Sequence, residues 1–84
     1  AYRRPSAYIA VHRYLRDDPA DYFAAVEEAL VALGGRPHWG KMHSRTAADL
    51  AVSYPRLGDA IRLRDSFDPN RLFGNHELRR LLGD

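Results

Sequence analysis

One stretch of this chain alternates as a strand does, and no second stretch exists for it to pair with. From Ser6 to Leu15 the side chains fall into two sets, Tyr8, Ala10, His12 and Tyr14 against Ile9, Val11 and Arg13. That is the two-residue period of a pleated strand. A lone strand leaves a row of backbone donors and acceptors unpaired, so its edges need partners from outside. The fold expected is therefore α+β: one N-terminal strand followed by about four helices, with apolar surface left uncovered. Strand pairing between copies, and hence a homodimer, is one outlet for such an edge. The Ile9/Val11 set suits packing on a helix. The opposite set, two phenols and an imidazole, suits either a second layer of protein or a site.

The helices are punctuated clearly. Asp18-Pro19 opens the first, with Asp18 as N-cap and Pro19 at the first helical position, where its missing N–H costs nothing. Tyr22/Phe23, Val26, Ala29/Leu30 and Leu33 recur at the spacing of one buried stripe, and Gly34-Gly35 stops it. Thr46 to Asp49 resembles a capping box with Asp in place of Glu and starts a short helix through Leu50 to Tyr54. Pro55 begins another, with Leu57, Ala60/Ile61 and Phe67 as its buried positions. Asp68-Pro69-Asn70 is turn chemistry. Asn75 can cap a last helix carrying Leu78, Leu81 and Leu82, closed by Gly83.

Composition narrows the function. The 84 residues suit one small domain with a marginal core. With no cysteine, disulfide scaffolds, thiol catalysis and Cys-based zinc sites are excluded. No apolar run approaches the roughly 20 residues of a membrane span, and nothing reads as a signal peptide, so a cytoplasmic location is expected. The net charge of +2 is spread through mixed-sign runs such as Arg62-Leu63-Arg64-Asp65 and Glu77-Leu78-Arg79-Arg80. Nucleic-acid binders cluster their basic residues instead, so no nucleic-acid partner is expected. His38 and His43 lie five apart across a glycine, which is not the helical i, i+4 pair of a zinc site, and no metal is expected. There is no G-x-S-x-G elbow, no G-x-G-x-x-G and no Walker A loop. The lone methionine is Met42 and the chain opens at Ala1, which suggests a fragment of something longer.

The segment Arg36-Pro37-His38-Trp39-Gly40-Lys41-Met42-His43 has neither helical nor strand period. It gathers two of the four histidines and the only Trp, Lys and Met. A rigid proline, a flexible glycine, two imidazoles, an indole and an ammonium on an irregular loop look like a lining for a polar ligand.

With Gly35 in front, this octad resembles the GRPHWGKxH motif of the aldonolactone oxidase family. These are flavoproteins of the vanillyl-alcohol-oxidase superfamily that include arabinono- and gulono-lactone oxidases or dehydrogenases and bacterial alditol oxidases. The likeness runs along nearly the whole chain. Tyr8-Ile9-Ala10-Val11-His12 resembles the family's substrate-domain strand, and Tyr22-Phe23 with Glu27-Glu28 its next helix. Tyr54-Pro55, Arg64 and the run from Asp68 to Asn75 resemble its ending.

The resemblance implies that residues 1–84 form the C-terminal part of a substrate-covering cap domain and its tail, with the FAD-binding domain absent and the isolated piece inactive. FAD would be held mainly by that missing domain, the chain's own partner. The implied substrate is a sugar lactone or a small polyol. Lys41 matches the family's active-site lysine and would bind the reacting hydroxyl. His12 corresponds to a histidine near the reacting centre that accepts or relays the proton. Tyr14 and His38 would line the substrate pocket, and Trp39 would pack near the flavin. Asn75 would hydrogen-bond near the cofactor, a plain helix N-cap being an equal reading. Tyr22-Phe23, His43 and Tyr14 look more like the lactone oxidases than the alditol oxidases. Two readings of other classes stand beside this one, a free-standing helical binding module and a small basic nucleic-acid binder.

Overall fold

Three leucines close the centre of the chain. Leu50, Leu57 and Leu81 are 0%, 4% and 2% exposed, with Trp39, Tyr54, Ile61 and Leu82 packed against them. The computed structural model describes residues 3–84, and among them are four helices: α1 (Ala20–Ala32), α2 (Ala47–Ser53), α3 (Leu57–Phe67) and α4 (His76–Leu82). Helices α2, α3 and α4 each supply one of the three leucines.

The helix ends follow their sequence signals. The Asp49 carboxylate accepts from the backbone N–H and the hydroxyl of Thr46, both at 2.9 Å. Asn75 Oδ1 accepts from the Leu78 N–H at 2.8 Å. Asp18 Oδ1 accepts from the Ala20 N–H at 3.0 Å, but α1 starts at Ala20 with Pro19 itself at the N-cap, one residue later than expected. At the other end Gly34 has φ +80°, and the Gly35 N–H reaches back to the Leu30 carbonyl at 2.8 Å. A Cβ on Gly35 would stand 2.7 Å from that same oxygen. Paired glycines are the natural residues for this helix stop.

The α+β expectation is overturned. Residues 5–14 take no regular secondary structure, no strand or sheet forms among the described residues, and the fold is all-helical. The physical reason is the one the pattern carried: a strand exists only in a ladder, and the other elements are helices. Of two expected buried faces, that of α1 does not form and that of α3 forms only in part. No residue of α1 is buried; Phe23, Val26 and Leu30 are half-buried, and Leu33 is 85% exposed. In α3, Leu57 is buried and Ile61 half-buried, but Ala60 and Phe67 lie in solvent.

The chain is open for its length. Its radius of gyration is 14.8 Å, against about 12 Å for a compact chain of this size. It exposes 7035 Å², against about 5,100 Å² for a compact monomer of its mass. Leu72 and Phe73 are 79% and 81% exposed, yet their backbone is fixed. Both N–H groups donate to the Asp68 carboxylate, at 2.7 and 3.0 Å. Arg71 takes a left-handed φ of 57° there, held by its guanidinium on Asp65 and on the Asp68 carbonyl.

Candidate active-site cleft

A cleft of about 560 Å³ opens between residues 8–12, one side of α1 and the loop that follows it. The size suits a small organic molecule. Phe23, Val26 and Leu30 of α1 form an apolar wall, Pro37 and Met42 extend it, and Lys41, His12 and His38 are among the polar groups around it. Because residues 8–12 do not lie in a flat sheet, both alternating sets, Tyr8, Ala10 and His12 with Ile9 and Val11, border the same cleft.

The loop has a local frame of its own. The Lys41 N–H donates to the His38 carbonyl at 3.0 Å. The Gly40 N–H donates to His38 Nδ1 at 3.0 Å, which leaves Nε2 to carry the ring proton of the neutral imidazole. Trp39 turns the other way, onto the leucine core. Its ring meets Tyr54 edge-on at 5.7 Å, and the Arg36 guanidinium covers the Tyr54 ring at 4.4 Å.

Three of the residues singled out in sequence, Lys41, His12 and His38, thus come together around one cleft. The other three stand elsewhere. Tyr14 is 64% exposed and outside the cleft wall, Trp39 belongs to the core cluster, and Asn75 caps α4.

Sequence reasoning passed over the groups that hold the loop from outside. Both Glu27 oxygens accept from the Ser44 N–H, at 3.0 and 3.1 Å, and Oε1 also takes the Ser44 hydroxyl at 3.0 Å. From α4, Arg80 Nη1 donates to the carbonyls of Arg45 at 2.6 Å and His43 at 3.3 Å, and its Nε donates to Glu77 at 3.0 Å. The i, i+3 spacing of Glu77 and Arg80 was the visible signal; the reach to a loop 35 residues away was not.

His43 sits inside this frame, its Nδ1 accepting from the Arg45 N–H at 3.1 Å. Burial lowers its pKa below the ordinary 6.5; the Arg80 and Arg45 charges act the same way, while Glu27 and Glu77 oppose them. The unfolded chain therefore binds more protons at this residue, and stability rises with pH across the window. The contribution is whole above about pH 6.5 and is lost as pH falls through the lower folded value. Asp49 and Glu77 are lowered from ordinary carboxylate values, so their losses come at still lower pH. Hydrogen exchange of residues 38–45 should thus quicken below about pH 6.5 beyond its intrinsic pH dependence. A His43→Gln variant should flatten that response, and an unchanged pH response in the variant would exclude His43 as its source.

Among the described residues no cluster of three His, Asp or Glu side chains can hold a metal, and no helix is long and apolar enough to cross a membrane.

The comparisons with known proteins bear on the same stretch. An L-gulono-1,4-lactone dehydrogenase of Mycobacterium tuberculosis is 48% identical over 83 residues, covering 99% of this chain and 19% of that protein. An L-gulonolactone oxidase of Scyliorhinus torazame is 35% identical over 94% of this chain and 19% of its own length. An alditol oxidase of a Streptomyces species is 49% identical over 57 residues, or 68% of this chain and 14% of its own. The chain spans about a fifth of the length of the curated relatives it matches. No solved structure matches it. The sequence profile of D-arabinono-1,4-lactone oxidase matches residues 1–81, and the chain belongs to that family of aldonolactone and alditol oxidoreductases.

Proposed function

We propose that this chain is the C-terminal part of an FAD-dependent oxidoreductase that oxidises a hydroxyl of an aldonolactone of the D-arabinono or L-gulono type. The observation that carries the reading is the single cleft bordered by Lys41, His12 and His38 in a chain of this family. The residues fit the reacting end of a flavin site: apolar walls for a flat ring, and a cation where negative charge grows. They do not fit the nucleotide end, since no glycine-rich backbone cradle for phosphates is present. That end belongs to a separate FAD-binding domain.

A flavin bound here would supply the two-electron oxidant that takes up the hydride from the carbinol carbon. The Lys41 ammonium donates to the reacting oxygen and offsets its growing negative charge. His12 takes the hydroxyl proton as a neutral imidazole. His38, its Nδ1 engaged by Gly40, offers Nε2–H to another hydroxyl of the substrate. Tyr14 contacts substrate only once the flavin domain closes over the open side. Trp39 fixes the loop from beneath, and Asn75 shapes the tail that returns toward the flavin domain.

Purified full-length protein should be yellow, and its flavin should bleach anaerobically with D-arabinono- or L-gulono-1,4-lactone. Faster bleaching by xylitol than by either lactone moves the reading to an alditol oxidase, in keeping with the Streptomyces relative. A colourless, flavin-free protein overturns it. The 84-residue piece alone should show no turnover. Its exposed Tyr8, Ile9, Leu72 and Phe73 should drive it to self-associate, and a freely soluble monomer would remove the domain-facing role from that surface.

A further inference from the structure

The loop that carries Lys41 is a thin wall. On one side lies the cleft, and on the other a shallow hollow lined by Trp39, Glu77 and Arg80, with Lys41, Met42 and His43 bordering both. Packing alone does not hold such a segment, since Lys41 and Met42 are exposed. Hydrogen bonds fix it beyond Lys41, and the deepest-rooted of them come from Arg80.

Arg80 is suited to the task. It neighbours Leu81, which is 2% exposed in the leucine core, so its backbone is rooted beside the buried cluster. Its guanidinium is oriented by both oxygens of Glu77. The remaining Nη1 hydrogens meet the carbonyls of His43 and Arg45. A planar fork with several donors meets these partners at once, whereas a lysine ammonium is a single point charge on a loose stem.

We propose that Arg80 is a positioning residue: through the His43 and Arg45 carbonyls it sets the distance of Lys41 from the reacting substrate, so the last helix governs the hydride step without touching substrate. This rests on the role proposed for Lys41. A displacement of the order of 1 Å in a positioned group can cost about 100-fold in rate, and the expected slowing for Arg80→Gln is about 10–100-fold on that basis.

The test is a double-mutant cycle in the full-length flavoprotein, read by stopped-flow flavin reduction at saturating substrate, with Lys41→Met, Arg80→Gln and the pair. If Arg80 acts through Lys41, Arg80→Gln slows the Lys41 protein and has almost no further effect on Lys41→Met. Equal slowing in both backgrounds, or no slowing in either, overturns the proposal. Arg80→Lys should recover little, because it lacks the fork; full recovery also overturns it. Hydrogen exchange of residues 38–45 supplies a readout that needs no flavin chemistry. It should quicken in Arg80→Gln while exchange of α2 and α3 stays unchanged, and unchanged loop exchange refutes the clamp. Should Arg80→Gln not fold, Glu77→Gln frees the guanidinium with less disturbance and must show the same loop exchange and the same dependence on Lys41. A wild-type protein that binds no flavin, or a Lys41→Met variant reduced at the wild-type rate, marks failure of the functional reading instead. In the first case loop exchange still decides whether Arg80 holds the loop; in the second the positioning role falls with it.

Discussion

Under the proposed function, replacing Lys41 by methionine in the full-length protein should slow flavin reduction by substrate about 10²–10³-fold, the usual cost of removing one preorganised donor from a reacting oxyanion. Lys41 is solvent-exposed in this chain and borders the cleft with His12 and His38. Methionine keeps the length and apolar stem, so the loop frame should survive: the Lys41 backbone N–H on His38 and the Glu27 and Arg80 contacts do not involve the ammonium. Flavin content and unfolding should stay near wild type, because an exposed lysine contributes within about 0.5 kcal/mol to stability. The effect should appear in the limiting reduction rate rather than in substrate affinity, since the charge being offset grows only in the transition state. Stopped-flow anaerobic reduction isolates that step from reoxidation and product release. A variant reduced as fast as wild type at saturating substrate would take Lys41 out of the chemistry and leave the cleft as a binding surface only.

Local order was legible in the sequence where a single residue decides it. Thr46, Asn75, Gly34 and Gly83 each mark a helix end by satisfying or releasing a few backbone groups, and such signals act within four residues. The same locality explains part of the matching tail. Asp68 is engaged by the N–H groups of Leu72 and Phe73, and Asn75 by that of Leu78, so both have a backbone role whatever else they contact. The strand was misjudged because alternation reports which faces a segment presents, while a ladder depends on a neighbour that the pattern does not contain. The stripe of α1 was misjudged for a related reason: periodicity identifies the face meant for burial, and here Phe23, Val26 and Leu30 of that face border the open cleft instead of a core. Phe67 follows the same logic, apolar at a helical position and 82% exposed. In the site, chemical type and crowding in one loop brought out Lys41 and His38, while His12 came from the alternating face of the N-terminal segment, and the family resemblance supplied the expected roles of all three. Glu27 and Arg80 escaped because a carboxylate or guanidinium on a mixed-charge helix looks the same whether it faces water or a distant carbonyl.

Leu50→Ala should be the most damaging substitution for the fold, at about 2–5 kcal/mol, the range for truncating a buried leucine. Leu50 is 0% exposed and touches the place where α2, α3 and α4 converge. With three buried leucines among the described residues, little else can close over the gap. The loss should also travel to the cleft. Trp39 and Tyr54 pack on the same cluster, and Trp39 stands two residues before Lys41. Leu81, beside Arg80, is the third member. Loosening the centre therefore frees both the root of the loop and the root of its clamp. In the full-length protein, hydrogen exchange of α2 to α4 should rise together with that of residues 38–45, while α1, which contributes nothing to the cluster, should change less. Leu50→Met, which nearly conserves volume, should cost less than about 1.5 kcal/mol and leave the loop protected. If Leu50→Ala cost no more than a surface substitution, about 0.5 kcal/mol, the leucine cluster would not be what holds the loop of residues 38–45, and the hydrogen bonds from Glu27 and Arg80 would be left as its support.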